Sequence, residues 1–153
     1  MPTPHEVFNT RFVKAMNERN WDEYEALLTD DYVGEYPQSG EVIRGPKNAR
    51  AIVEGYPGGL PPDQIDTTTT RIAAADRWVR TPTFTSVRAE GAGNVGVMAM
   101  RARYPDGSGW WIVNLYELRD GRMARSTTFF APAFEAPEWR KPFVELKGSS
   151  AKR

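Results

Sequence analysis

The chain of 153 residues contains no cysteine. Disulfides, thiolate metal sites and cysteine nucleophiles are therefore excluded. It has one histidine, His5. A histidine this close to the start of a chain is expected on the solvated surface. Ser-His-Asp triads, His-carboxylate dyads and multi-histidine metal sites are then out of reach unless His5 folds inward. Charge of one sign is also missing, since 20 basic residues meet 20 acidic ones. No broad field favours nucleic acid or an anionic membrane surface. No apolar run approaches the roughly 20 residues needed to cross a bilayer. The opening MPTPHEVFNT lacks the apolar core of a signal peptide. These absences lead us to expect a soluble cytoplasmic protein without nucleic-acid or membrane partners, and without metal or cofactor. Internal repeats and low-complexity blocks are lacking too. The length suits one domain over 1–146, with a frayed tail at 147–153.

What is present reads as helices first and strands afterwards. Over 4–19, Phe8, Phe12, Ala15 and Met16 recur at helical spacing with Val7 beside them, giving one buried stripe. Asn20 and Glu23 have the spacing of a capping box for a second helix. Its apolar face is Trp21, Tyr24, Leu27 and Leu28, and 29–31 ends it. A short strand at 32–36 stops at Pro37, and 41–44 extends again. Gly45-Pro46 opens a third helix reaching about Gly55, with Ala49, Ile52 and Val53 as its buried face. The loop 56–62 (YPGGLPP) is a candidate rim or lid. Strands are expected at 67–73, 78–87 and 95–104, and the chain is irregular after Pro132. Helices followed by a run of antiparallel strands make an α+β pattern. The expected architecture is a cone, a curved antiparallel sheet wrapped around three N-terminal helices.

The stretch 109–132 (GWWIVNLYELRDGRMARSTTFFAP) carries the most information. Two strand-like runs flank Asp120-Gly121, a hairpin turn signal. Both contain polar groups that a pure core hairpin would not have. Asn114 stands in the first, and Ser126, Thr127 and Thr128 in the second. An apolar hairpin with a few inserted hydrogen-bonding groups suits the wall of a small-molecule cavity.

Several strings, in their order and spacing, resemble the nuclear transport factor 2-like superfamily, and within it the bacterial SnoaL-like proteins. They are Asn20-Trp21-Asp22, Thr29-Asp30-Asp31-Tyr32-Val33, 37–45 (PQSGEVIRG), 116–122 (YELRDGR) and Ala136-Pro137-Glu138-Trp139-Arg140. The resemblance implies the cone fold, and a homodimer formed through the outer sheet face, where Trp111, Val113 and Leu115 would supply an apolar patch. It also allows the chemistries of the superfamily to be laid on this chain. Ketosteroid isomerase needs a carboxylate base with an oxyanion hole of tyrosine and protonated aspartate. Those positions fall on Tyr36, Phe12 and Asn114. The Asp-Arg-Asp triad of limonene epoxide hydrolase falls on Asn114, Ile112 and Thr128. Scytalone dehydratase and the polyketide cyclases rely on a histidine with a carboxylate. Every one of these sets is incomplete here.

Glu35 and Tyr36 are neighbours in a strand, so only one of them faces the cavity without a bulge. The isomerase pattern favours Tyr36 and the epoxide hydrolase pattern Glu35. An inward Glu35 would be a desolvated carboxylate and a proton shuttle, with Asn114 and Tyr36 polarising the substrate. For the hairpin, a loop of Arg119-Asp120-Gly121 pairs Leu118 with Arg122 and Asn114 with Ser126. A two-residue loop aligns Asn114 with Thr127 instead. The family pattern supports the first, which turns Asn114, Tyr116, Ser126 and Thr128 inward. The remaining candidate ligand contacts are Phe12, Met16, Gln38, Arg101, Trp110, Phe130 and Trp139. Gln38 belongs to a polar cluster with Ser39, Glu41 and Arg44, in which Glu41 can pair with Arg44 or Arg140. Arg101 interrupts an apolar strand and can bind an anionic group, or lie at a sheet edge with its head in water. The segment 136–143, with Trp139, either closes the core or caps the pocket mouth. Three functions stay open: a cofactor-independent isomerase, dehydratase, cyclase or hydrolase; a pocket that holds a small apolar ligand unchanged; and an accessory dimeric protein.

Overall fold

Helix α1, Pro4–Glu18, starts at a closed capping box. The Thr3 hydroxyl accepts from the Glu6 N–H at 3.2 Å, and the Glu6 carboxylate accepts from the Thr3 N–H at 2.6 Å. The computed structural model describes residues 1–59, 71–73, 78–80 and 84–146, with side chains described outside 71–92. The expected stripe of α1 is buried at Phe8, Phe12, Ala15 and Met16, whereas Val7 points to solvent. Helix α2, Trp21–Ala26, is capped by Asn20, which accepts from the Glu23 N–H. Its box stays half-made, because the Glu23 carboxylate goes to Arg11 at 2.8 Å.

Strand β1, Leu28–Tyr36, begins four residues earlier than the sequence suggests. Leu28 and Thr29 continue no helix, since the Leu27 carbonyl accepts from the Met123 N–H at 2.8 Å and Leu28 pairs with Met123. Pairing with the end of the chain overrides the local helical pattern. Strand β2, Glu41–Arg44, folds back on β1, and helix α3, Pro46–Glu54, follows. In α3 Ala49 is buried and Val53 half-buried, while Ile52 is 40% exposed rather than buried.

The remaining strands are β3 (Arg71–Ala73), β4 (Trp78–Arg80), β5 (Phe84–Ala92), β6 (Val95–Arg103), β7 (Gly109–Arg119) and β8 (Arg122–Pro132). The single strand expected at 78–87 is two, β4 and β5, paired antiparallel with Val79 opposite Ser86. Pro82 lies between them, and proline offers no donor to a sheet ladder. The expected strand residues 67–70, part of the rim loop (60–62) and the tail 147–153 lie outside the described residues. A 3₁₀ turn, Glu138–Phe143, follows β8.

The eight described strands join one sheet in the order β2-β1-β8-β7-β6-β5-β4-β3. Every pair is antiparallel except β1 with β8, which run parallel. The sheet is therefore mixed rather than purely antiparallel, and the fold is α+β as expected. The inward residues of β1, β6, β7 and β8 share one core with the helices, among them Phe8, Phe12, Tyr24, Met98 and Ile112.

The β7–β8 turn corrects the expected register. Arg119 pairs with Arg122 around Asp120 (φ 53°) and Gly121 (φ 75°), a two-residue turn with both centres left-handed. A bulge follows, because Leu118 opposes Met123 while Glu117 opposes Arg125, leaving Ala124 extra. Beyond it Tyr116 opposes Ser126, and Asn114 opposes Thr128 rather than Ser126. The extra residue restores the parity that the shorter turn would have lost. Asn114, Tyr116, Ser126 and Thr128 thus still share the inner face.

Candidate ligand cavity

Between α1, α2, α3 and the inner face of the sheet lies a cavity of about 200 Å³. Phe12 and Met16 reach it from α1, Val53 from α3, and Met100, Ile112 and Met123 from the sheet. The polar atoms come from five tyrosines (Tyr24, Tyr32, Tyr36, Tyr56 and Tyr104) and from Asn114, Ser126 and Thr128. Among the described residues the lining has no carboxylate, imidazole, ammonium or guanidinium group. Nor do they include any cluster of three side chains that would hold a metal ion.

Local geometry explains how the phenols get there. Tyr32, Gly34 and Tyr36 lie on one face of β1 by strand alternation. Gly34 sits opposite Ser126 on β8. Without a β-carbon at Gly34, the Tyr32 ring can cross the strand, and its hydroxyl meets Ser126 Oγ at 2.6 Å. Tyr36 stands edge-on to Phe130, centroids 5.0 Å apart. Asn114 accepts from Thr128 Oγ1 at 3.2 Å, and its Nδ2 has only the weak acceptor Met123 Sδ at 3.9 Å. Asn114 therefore keeps donor capacity toward the cavity. The hydroxyls of Tyr24 and Tyr36 make no hydrogen bond to any described residue.

These phenols stay protonated. Burial raises Tyr24 well above the usual range, with Tyr32 and Tyr36 adding to it. Burial also pushes Tyr36 up to about 12, helped by Tyr32, Glu41 and Tyr104. Tyr32 is raised by burial, with the Ser126 bond opposing. The cavity thus presents neutral donors on apolar walls.

Of the residues expected at the site, Phe12, Met16, Tyr36, Asn114, Ser126, Thr128 and Phe130 line this cavity. Glu35 does not, because Tyr36 takes the inward parity and leaves Glu35 exposed on the opposite face. Tyr116 faces inward beneath the cavity, packed against Phe8 and bonded to His5. Gln38 is an exposed clamp, its amide donating to the Phe130 carbonyl and accepting the Phe130 N–H, each at 2.6 Å. Glu41 takes the Ser39 hydroxyl and makes no ion pair with Arg44 or Arg140. Arg101 lies on the outer sheet face, over the Trp111 ring at 5.2 Å. Trp110 borders a second, outer cavity. Trp139 is 72% exposed with Arg140 over its ring, so it neither closes the core nor covers the cavity.

The surface position expected for His5 is wrong. Its ring is buried, with Nε2 2.9 Å from the Gly93 carbonyl and Nδ1 3.2 Å from the Tyr116 hydroxyl. The only tautomer that satisfies both has the proton on Nε2, so that Nδ1 accepts from Tyr116. Sequence reasoning also missed Tyr24, Tyr32 and Tyr104 as lining residues. For Tyr32 the signal was present, since it stands two and four residues before Gly34 and Tyr36.

No protein of curated description matches this chain in sequence. Solved structures do match in shape. An NTF-2-like protein of unknown function from Burkholderia xenovorans is 26% identical, with a TM-score of 0.73 over 95% of this chain and 96% of that one. A Kribbella flavida protein assigned provisionally to the ketosteroid isomerases is 23% identical, TM-score 0.71, covering 98% and 94%. An LEH-like epoxide hydrolase of Mycobacterium tuberculosis is 18% identical, TM-score 0.61, covering 84% and 83%. The family model of the SnoaL-like domain matches residues 9–126, most of the chain, and this protein belongs to that family.

Proposed function

We propose that the inner cavity binds a small, uncharged, mainly apolar molecule through one carbonyl or hydroxyl oxygen. One observation carries this reading. Two unpartnered phenol hydroxyls, Tyr24 and Tyr36, and the Asn114 amide face an apolar space whose described lining is free of charge. Bringing an ion into such a space costs several kcal/mol without a partner. An oxygen acceptor, by contrast, gains hydrogen bonds from donors that no described residue engages. Pockets for drug-sized ligands span roughly 300–1,000 Å³, so a cavity of about 200 Å³ suits a smaller ligand, of one ring or a short branched chain. Proton transfer needs a base within reach. Among the described lining residues there is none, which favours holding the ligand over converting it.

Thermal denaturation with carvone, limonene and benzoate tests this. Carvone carries a carbonyl, limonene is its hydrocarbon counterpart, and benzoate is charged. At saturating concentrations carvone raises Tm by about 2 °C or more, limonene less and benzoate not at all. Tyr36→Phe reduces the carvone response, and the carvone is recovered unchanged. A response to limonene equal to that of carvone, or none to either, overturns the reading.

Two copies are proposed to pair through the outer sheet face. Val97 opposes Leu115 and Val113 opposes Phe129 there, with Trp111 alongside, and each is more than a third exposed. Apolar patches of this kind mark interaction surfaces. Light scattering at micromolar concentration should give a dimer, and Leu115→Lys a monomer with unchanged secondary structure. A wild-type monomer refutes the pairing.

A further inference from the structure

Adjoining the inner cavity, and sharing Tyr56, Tyr104 and Phe130 with its lining, lies a larger one of about 540 Å³. Its walls are aromatic. Tyr56 and Tyr104 stack with centroids 5.4 Å apart. Trp110 stands perpendicular to Tyr104 at 5.9 Å, so the two ring planes form a corner. Asp106 lies on the same lining. The Trp110 indole donates to Ser108 Oγ at 2.9 Å, and that hydroxyl donates to Asp106 Oδ1 at 2.5 Å. The Ser108 N–H donates to the same oxygen at 2.8 Å. One chain of hydrogen bonds thus fixes the tryptophan ring and the carboxylate relative to each other. It loads Oδ1, while Oδ2 has no hydrogen bond to any described residue. The Ser108 hydroxyl and N–H hold the Asp106 carboxyl below its usual range, so it is ionised at neutral pH.

We propose that this outer cavity binds a small organic cation of the alkylammonium class. Aromatic faces carry negative charge density and attract cations most when their planes surround the charge. A carboxylate beside such faces adds attraction for a cation and repels anions. A metal ion does not fit, since Asp106 is the only carboxylate on the described lining and the Ser108 hydroxyl beside it is already engaged by Trp110 and Asp106. The Arg19 guanidinium approaches the neighbouring loop at Gly59, 3.9 Å from where a β-carbon would stand, and is no part of the lining. The site is separate from the inner one in chemistry: neutral donors within, aromatic faces and a negative charge without.

Choline and 3,3-dimethylbutan-1-ol separate charge from shape, since a carbon replaces the nitrogen in an otherwise equal molecule. Titration of the full chain, followed at the Trp110 indole resonance, should show choline saturating and the alcohol binding at least roughly tenfold more weakly. Asp106→Asn keeps an Oδ1 acceptor for Ser108, so it should leave Tm unchanged while weakening choline several-fold. Tyr36→Phe, which alters only the inner cavity, should leave choline binding as it is, and Asp106→Asn should leave the carvone response as it is. The proposal is overturned if choline and the alcohol bind alike, if choline does not saturate at millimolar concentration, or if Asp106→Asn binds choline as well as the wild type.

Discussion

The Tyr116 phenol lies flat across Gly96, its partner on the neighbouring strand. A β-carbon at Gly96 would stand 2.5 Å from Tyr116 Cζ, 2.6 Å from its oxygen and 2.7 Å from His5 Nδ1. Gly96→Ala is therefore expected to destabilise by about 1–3 kcal/mol through overpacking. Tyr116→Phe should restore little in that background, because the ring carbon still collides. Gly34 makes the contrasting case, since there the Tyr32 hydroxyl is the nearest atom. Tyr32→Phe should recover a larger part of the loss in Gly34→Ala. Urea denaturation of the four single variants and the two double variants measures both couplings.

His5→Ala should cost about 2–4 kcal/mol. It removes a buried ring, breaks the bond to the Gly93 carbonyl and leaves the buried Tyr116 hydroxyl without its partner. A solvated histidine near the chain start would instead change stability by less than roughly 0.5 kcal/mol. The same denaturation experiment separates the two.

Asn114→Asp restores the residue type that the isomerase and hydrolase patterns place at this position. Asn114 is buried, so a carboxyl there is desolvated and its pKa rises above the unfolded value. The sign follows from linkage. Below the unfolded pKa the acid is neutral in both states and the variant approaches wild type. As pH rises past that value the unfolded chain ionises first, and the variant loses stability, on the order of 1–3 kcal/mol at pH 8. Denaturation at pH 4 and pH 8 should show the gap to wild type widening with pH.

Burial pushes Tyr36, Tyr104 and Tyr116 up to about 12, above the roughly 10 of an exposed phenol. A raised folded pKa contributes stability that is complete below pH 10 and is lost as pH climbs toward 12. Tm should begin to fall above about pH 10 on this account. Phenolate absorbance at 295 nm should rise at higher pH in the native protein than in the urea-unfolded chain.

Much of the frame was legible because it is periodic. The helical stripe of α1 and the alternation of β7 and β8 name the inward residues directly, and even a register error left Asn114, Tyr116, Ser126 and Thr128 on one face. Choosing between Glu35 and Tyr36 was harder, since alternation gives two parities and no preference. The tie is broken by Gly34, whose bare backbone accepts Tyr32 on the same face as Tyr36. The burial of His5 is not legible locally, because its partners lie 88 and 111 residues away. The start of β1 is hidden for the same reason, as Met123 decides the fate of Leu28. Asn20 and Thr3 both have capping-box spacing, but the box closes only at Thr3, because the Glu23 carboxylate goes to Arg11.

The parallel pairing of β1 with β8 has a consequence for how the protein is made. Its partners, such as Gly34 and Ser126, are 92 positions apart, and the β7–β8 hairpin must exist before β1 has an edge to join. Contacts of such separation form slowly and late, because loop closure precedes any reward from them. The tyrosines on β1 and the polar groups on β7 and β8 therefore meet only once nearly the whole described chain has left the ribosome. A nascent or C-terminally shortened chain would hold all the helices and have no chamber. The inner cavity is a feature that arrives at the final step of folding.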